Sequence, residues 1–233
     1  MVSNLSKILN DVNTFVVPET CFGCNAVLYR GEHLLCAFCR NELPLTEYNF
    51  SVENAVDRLF YGHSRVHKAA ALLFYHENGL VPHLIHCLKY RGMEQIGSLF
   101  GKWYGALLSR DAGLETMDYV LPVPLHPKKE RKRGYNQCAL FGMEMARALG
   151  AQFSSTLLIR KRSSRTQTVK NRWQRWKGAK DAFIAPLPQD LEGKRILLVD
   201  DVVTTGATLG SCCEALEHIP HKGVYIASMA IVP

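Results

Sequence analysis

Apolar residues follow two rhythms along this chain. From Arg195 the sequence runs RILLVDDVV, an unbroken apolar stretch that meets two acids and then two valines. A continuous run of this kind marks a strand buried on both faces of a parallel sheet. GVYIASMAIV, near the C-terminus, reads as a last strand, and DYVLPVPLHP as a short strand that stops at prolines. HKAAALLFYHENG reads as a strand or strand pair ending in an Asn-Gly turn. TLLIRKR and AFIA read as strands flanking a long basic loop.

Between these lie segments with helical spacing. VPHLIHCLKYRG places Pro82 near a first turn and Gly92 past the end. In MEQIGSLFGKWYGALLSR the apolar residues fall at 96, 99, 100, 103, 104, 107 and 108. NQCALFGMEMARALG predicts a helix stopped at Gly150. After the acids, Leu209, Cys212, Cys213 and Leu216 sit at i, i+3, i+4 and i+7, one apolar helix face. Strands alternating with helices predict an α/β domain with a doubly wound, mainly parallel sheet.

The cysteines add a second unit. CFGC and CAFC set Cys21, Cys24, Cys36 and Cys39 in two Cys-x2-Cys knuckles separated by eleven residues. Such knuckles close a four-sulfur zinc shell, because each short turn presents two thiolates to one point. Redox-active or unliganded thiols are the alternative. A closed shell leaves no open position, so this zinc is expected to be structural. His33 lies nearby and reads as plain surface. Cys87, Cys138, Cys212 and Cys213 fall in helical patterns and read as small buried hydrophobes. The expected division is residues 1–45 for the N-terminal segment and zinc module, and 46–233 for the α/β domain.

No window approaches a membrane span, and MVSNLSKILNDVNTF has no signal-peptide core, so a cytoplasmic protein is expected. The net charge of +7 is local. KKERKR (128–133) and RKRSSRTQTVKNRWQRWK (160–177) hold 13 of the 28 basic residues and one of the 21 acids, leaving the remainder net acidic. That distribution points to polyanion binding at particular loops, a solvated charged loop being the plain alternative for either segment.

Two adjacent carboxylates, Asp200 and Asp201, then pose a chemical question. In an open α/β sheet, ligands lie beyond the carboxyl ends of the strands, where these acids are expected. The Thr-Thr-Gly-Ala-Thr turn after them, followed by a helix start, offers backbone N–H groups and hydroxyls to a phosphate. Acids before a phosphate cradle suit a sugar phosphate, with carboxylates accepting from vicinal hydroxyls, and they can also help hold a divalent cation. No G-x-x-x-x-G-K-[ST] loop occurs, and no G-x-G-x-x-G follows a strand. A purely structural strand end is the competing reading, disfavoured because paired carboxylates on a buried strand are costly without a ligand or partner.

ILLVDDVVTTGAT resembles the phosphoribosyl-pyrophosphate (PRPP) signature of type I phosphoribosyltransferases. By that resemblance Asp200 and Asp201 contact the ribose hydroxyls, and the PRPP-binding set is Asp200, Asp201, Val202, Thr204, Thr205, Gly206, Ala207 and Thr208. With the cysteine module, KYRG (89–92), LPVPLHPKKERKRGYNQ (121–137) and RTQTVKNRWQRWKGAKDAF (165–183), the chain resembles the ComF family of competence proteins from residue 18 onward. The resemblance implies a type I phosphoribosyltransferase-like fold. It also implies a pyrophosphate loop of Pro124, Leu125, His126, Lys128 and Lys129, Mg2+ bound with PRPP, and a flexible hood over 162–177. Family members are implicated in natural transformation and single-stranded DNA handling, with a helicase or recombination protein as the implied partner.

Two functions follow from these residues. As a transferase, the chain would move the phosphoribosyl group to a nucleobase or amine with release of pyrophosphate, through an oxocarbenium-like transition state. No catalytic residue is identified, His126, His83 and His86 being candidates by type alone. Residue 2 is Val rather than a catalytic cysteine, so ammonia transfer from glutamine within this chain is not expected. As a binding module, Trp173 and Trp176 would stack bases among Arg162, Arg165, Lys170, Arg172, Arg175 and Lys177, which suits single strands. Anchoring the loop base in the core is the alternative for both tryptophans.

Overall fold

The computed structural model describes residues 18–62, 66–161 and 182–233. Among these residues two short helices come first, α1 (Ala37–Asn41) in the cysteine module and α2 (Ala55–Arg58) in the connector. Then follow β1 (Val66–Phe74), α3 (Leu80–Tyr90), α4 (Gln95–Leu108), β2 (Tyr119–Pro122), α5 (Pro127–Arg133), α6 (Ala139–Leu149) and β3 (Gln152–Phe153). The chain closes with β4 (Ile159–Arg160), β5 (Phe183–Ile184), β6 (Arg195–Val203), α7 (Ala207–Leu216) and β7 (Gly223–Ile231).

Five strands form one parallel sheet in the order β1-β7-β6-β2-β3, while β4 and β5 pair antiparallel. The period-two alternation of β6 explains the layers. Leu197 and Val199 join a core with α3, α4 and α6, and Ile196 and Leu198 join another with α7 and Phe60. Helices therefore cover both faces, as the continuous apolar runs require. All four predicted inner positions of α7, Leu209, Cys212, Cys213 and Leu216, are buried.

At four places the structure decides or adds to the sequence reading. HKAAALLFYHENG makes one strand, not a pair: β1 pairs in parallel with β7, and Gly79 caps the start of α3. Its run of buried alanines, Ala69 to Ala71, fits between two layers instead of turning back on itself. KKERKR is a helix, α5, opened by Pro127 and closed by Gly134 at φ 88°; no residue of it is buried, so no apolar rhythm announced it. The two-residue β3 was too short to read. Finally, β6 does not stop at the acids: Asp200 pairs with Ser228 and Val203 with Ile231, so both carboxylates lie inside the strand.

The cysteine module sits on the same core as the sheet, with Cys21, Leu35, Cys36, Cys39 and Leu43 packed into the α3–α4 cluster. The chain leaving it follows the free edge of β1, where Thr46 N donates to Leu72 O at 3.0 Å and Phe74 N to Pro44 O at 2.8 Å. Asn54 and Asp57 then cap α2 reciprocally, and Asp57 accepts from Ala69 N at 2.7 Å, fixing the connector on β1.

Close helix packing sets the position of α6. Gly97, Gly101 and Gly105 line one face of α4, and a Cβ on Gly101 would stand 2.6 Å from Phe141 O. A Gly101→Val variant is expected to push α4 off α6 and lose roughly 2 kcal/mol of stability. An unchanged urea midpoint would show that the two helices tolerate separation.

Candidate functional site

The chain leaves β2 toward β3 on one side of the sheet and leaves β6 toward β7 on the other. The carboxyl ends of β2 and β6 therefore meet at a topological switch point, where doubly wound sheets hold ligands. Val123 N donates to Val199 O at 2.9 Å, which keeps the β2 loop beside the acids.

The two acids have different surroundings. Asp201 is buried, and both its oxygens are taken: Lys89 Nζ donates to Oδ1 at 2.7 Å and Gln137 Nε2 to Oδ2 at 2.6 Å. Asp200 is half-buried. Its Oδ1 accepts from Asp201 N at 2.9 Å and from the Cys138 thiol at 3.6 Å. Burial first, then the Asp201 carboxylate, pushes the Asp200 carboxyl up to about 7. Burial and the same two acids raise Cys138, which stays a thiol and donates. Ligand atoms of Cys138, Asp200 and Asp201 lie within 4.8 Å of one another, but each oxygen of Asp201 is already engaged, by Lys89 and by Gln137. Asp200 is thus the acid of the pair able to accept from a ligand.

The phosphate loop follows directly. Thr204, Thr205, Ala207 and Thr208 are exposed, Val202 is half-buried, and Gly206 is buried at φ 71°. A Cβ at Gly206 would be strained by that φ and would meet the Phe60 ring at 3.1 Å. No side chain caps α7, so its first N–H groups remain open to an anion at the end of β6.

Across the site, Pro124, Leu125 and His126 are half-buried and Lys128 and Lys129 exposed. His126 serves as the N-cap of α5, its Nδ1 accepting from Lys128 N at 3.2 Å. Asn136 ties this loop down, donating to Val123 O at 3.0 Å and accepting from Cys138 N at 2.9 Å. Tyr135 OH donates to Leu88 O, and Arg133 donates to Gln137 Oε1. A cavity of about 310 Å³ opens here, lined by Lys89, Tyr90, Gly92, Lys129, Lys132, Arg133 and Tyr135.

The four cysteines cluster as their spacing requires. All four sulfurs lie within 4.8 Å of one another, and Cys24 Sγ and Cys36 Sγ are 3.8 Å apart. A tetrahedron with Zn–S bonds near 2.3 Å has edges of about 3.8 Å, so the donor set fits a metal such as zinc. Burial raises the Cys21 thiol, but N–H donors from Cys36, Cys24 and Gly23 outweigh it and bring it down to about 7. Gly23 is needed there, since a Cβ would stand 2.8 Å from Cys39 Sγ. His33 is exposed and outside the cluster.

Other histidines lie away from the acids. His83 Nε2 is 3.0 Å from Phe22 O in the cysteine module, and the His86 ring packs 5.0 Å from Tyr90. Arg162, Arg165, Lys170, Arg172, Trp173, Arg175, Trp176 and Lys177 lie outside the described residues. Lys89, Gln137 and Cys138 were missed as site residues. KYRG and GYNQ were legible as motifs, but nothing in their spacing aims them at an acid on a distant strand.

A family model described as phosphoribosyl transferase domain matches residues 136–230, which run from Asn136 through the acids to β7. Over that segment, less than half of its length, the chain is similar to this domain. It is homologous to DNA utilization protein YhgH of Escherichia coli (strain K12), with 33% identity over 138 residues, 57% of this chain and 59% of the relative. It is also homologous to competence protein F of Haemophilus influenzae, 29% identical over 118 residues, 50% of this chain and 52% of the relative. The matches span less than two thirds of these relatives' length. Among solved structures, glutamine PRPP amidotransferase from B. subtilis aligns at 22% identity over 57% of this chain and 26% of that chain, with a TM-score of 0.40. No helix among the described residues is long and apolar enough to cross a membrane.

Proposed function

We propose that the switch-point site binds Mg2+-complexed PRPP, or a related phosphoribosyl ligand, in a protein that handles single-stranded DNA. One observation carries the sugar-phosphate part: a half-buried acceptor, Asp200, lies near the end of β6, whose last residue, Val203, leads through a short loop to an uncapped helix N-terminus at Ala207. In this reading Asp200 accepts from the ribose hydroxyls. The loop from Thr204 to Thr208 holds the 5′-phosphate with its N–H groups and hydroxyls. Lys89 and Lys129, with the β2 loop, face the diphosphate, and bound Mg2+ would neutralise part of its charge. Residues 1–45, with a structural zinc, form the first unit and 46–233 the second.

The DNA part is supported by the names of the relatives, which concern DNA utilization and competence. The basic tract from Arg162 to Lys177 is proposed to contact the strand. A second reading, turnover, is favoured by the Asp200 carboxyl held near neutrality, where it can exchange a proton. Calorimetric titration of Mg-PRPP into the wild-type protein tests the site. Binding of Mg-PRPP in preference to Mg-pyrophosphate is expected. Equal binding of both would leave only an anion site, and pyrophosphate release with nucleobases or amines would establish turnover.

A further inference from the structure

The cavity between the C-terminal end of α3 and α5 has a composition that a diphosphate alone does not explain. Among the described residues lining it, four are cations, Lys89, Lys129, Lys132 and Arg133, and none is an acid. Lys129 and Lys132 make no ion pair with a described residue. Beside them stands Tyr90, 70% exposed although the Arg133 guanidinium lies 5.4 Å from its ring centroid and His86 packs on the same ring. Cations serve any phosphate. A rigid, exposed aromatic ring held among them serves a flat partner that carries phosphates on both sides.

We infer that this groove binds single-stranded DNA, with a base stacked on Tyr90 and flanking phosphates on Lys129, Lys132 and Arg133. Its volume of about 310 Å³ falls at the small end of ligand sites, room for one nucleotide unit at a time. Paired bases have no free face to offer Tyr90, so the groove selects single strands. Lys89 also donates to Asp201, so the strand would pass directly beside the sugar-phosphate site. The inference rests on the DNA half of the function proposed above; it shares Lys129 with the PRPP half, whereas Tyr90 and Lys132 belong to the groove alone.

The test is fluorescence anisotropy of the full chain with labelled oligothymidylate, across a salt titration, with Mg-PRPP calorimetry on the same preparations. Tyr90→Ala is expected to weaken binding about tenfold, with Tyr90→Phe close to wild type, because the ring does the stacking. Lys132→Ala is expected to reduce the slope of log affinity against log salt by about 0.7. Both side chains are exposed, so the variants should fold, and their Mg-PRPP titrations should match wild type. Wild-type affinity in Tyr90→Ala with an unchanged slope in Lys132→Ala would overturn the groove and leave the strand to other residues. No binding by the wild type would overturn the DNA reading itself.

Discussion

A Cys39→Ser variant is expected to purify without a bound metal and to melt well below the wild type. Cys39 is 4% exposed, and its sulfur is one of four gathered at the spacing of a tetrahedral thiolate shell. The serine oxygen is a poor replacement for a soft thiolate, so the shell would open at one corner. The knuckles then lose what holds them, because a module of this size has little apolar surface of its own to bury. The damage should travel. Phe22 O is bonded to His83 on α3, and Leu80 packs against Gly23, so a loosened module removes contacts from the helix that carries Lys89. A loss of about 3 kcal/mol corresponds to roughly 6–12 °C in the melting midpoint of a chain this long. Metal analysis should find one zinc per wild-type chain, and a chelator should lower the wild-type midpoint toward that of the variant. A metal-free wild type with a midpoint indifferent to chelator would refute a structural zinc.

Much of this architecture was legible because burial leaves a periodic trace. RILLVDDVV and the face of Leu209, Cys212, Cys213 and Leu216 announced the central strand and the helix on it, and the two Cys-x2-Cys turns announced their cluster. What stayed hidden was long-range or rhythmless. The α5 helix buries no residue, so its charges follow no apolar rhythm. Asp200 and Asp201 look equivalent in sequence and were read alike. Alternation along β6 turns them to different surroundings, and only the arrival of Lys89 from α3 and Gln137 at the start of α6 decides which one is occupied. Gln137 itself lies where α4 and α6 meet, a Cβ on Gly97 standing 3.4 Å from its carbonyl oxygen, a contact no local pattern states.

Alanine at each acid should therefore separate ligand binding from stability. Asp201→Ala leaves Lys89, with only 24% of its side chain exposed, and Gln137 facing an empty place; losing one partner of such a pair is expected to cost about 3 kcal/mol. Asp200→Ala removes a carboxylate that the fold disfavours. Its folded pKa stands near 7, above the ordinary value, so the native state holds this proton more tightly than the unfolded chain does. The group's contribution to stability is thus lost as pH rises from about 4 to 7, and above that range its removal should leave the midpoint unchanged or raise it. Its effect on the ligand is the opposite. With the acceptor for the ribose hydroxyls gone, Mg-PRPP affinity is expected to fall about a hundredfold, equivalent to roughly 2.7 kcal/mol for a lost charged hydrogen bond. The wild type should itself bind more weakly as pH drops through 7, approaching tenfold per pH unit, because the ligand then competes with the proton on Asp200. Paired urea melts and Mg-PRPP titrations of the two variants decide the matter. Equal loss of binding in both, with equal stability, would mean that the acids act as one ligand and that the Lys89–Asp201 pair opens to admit it.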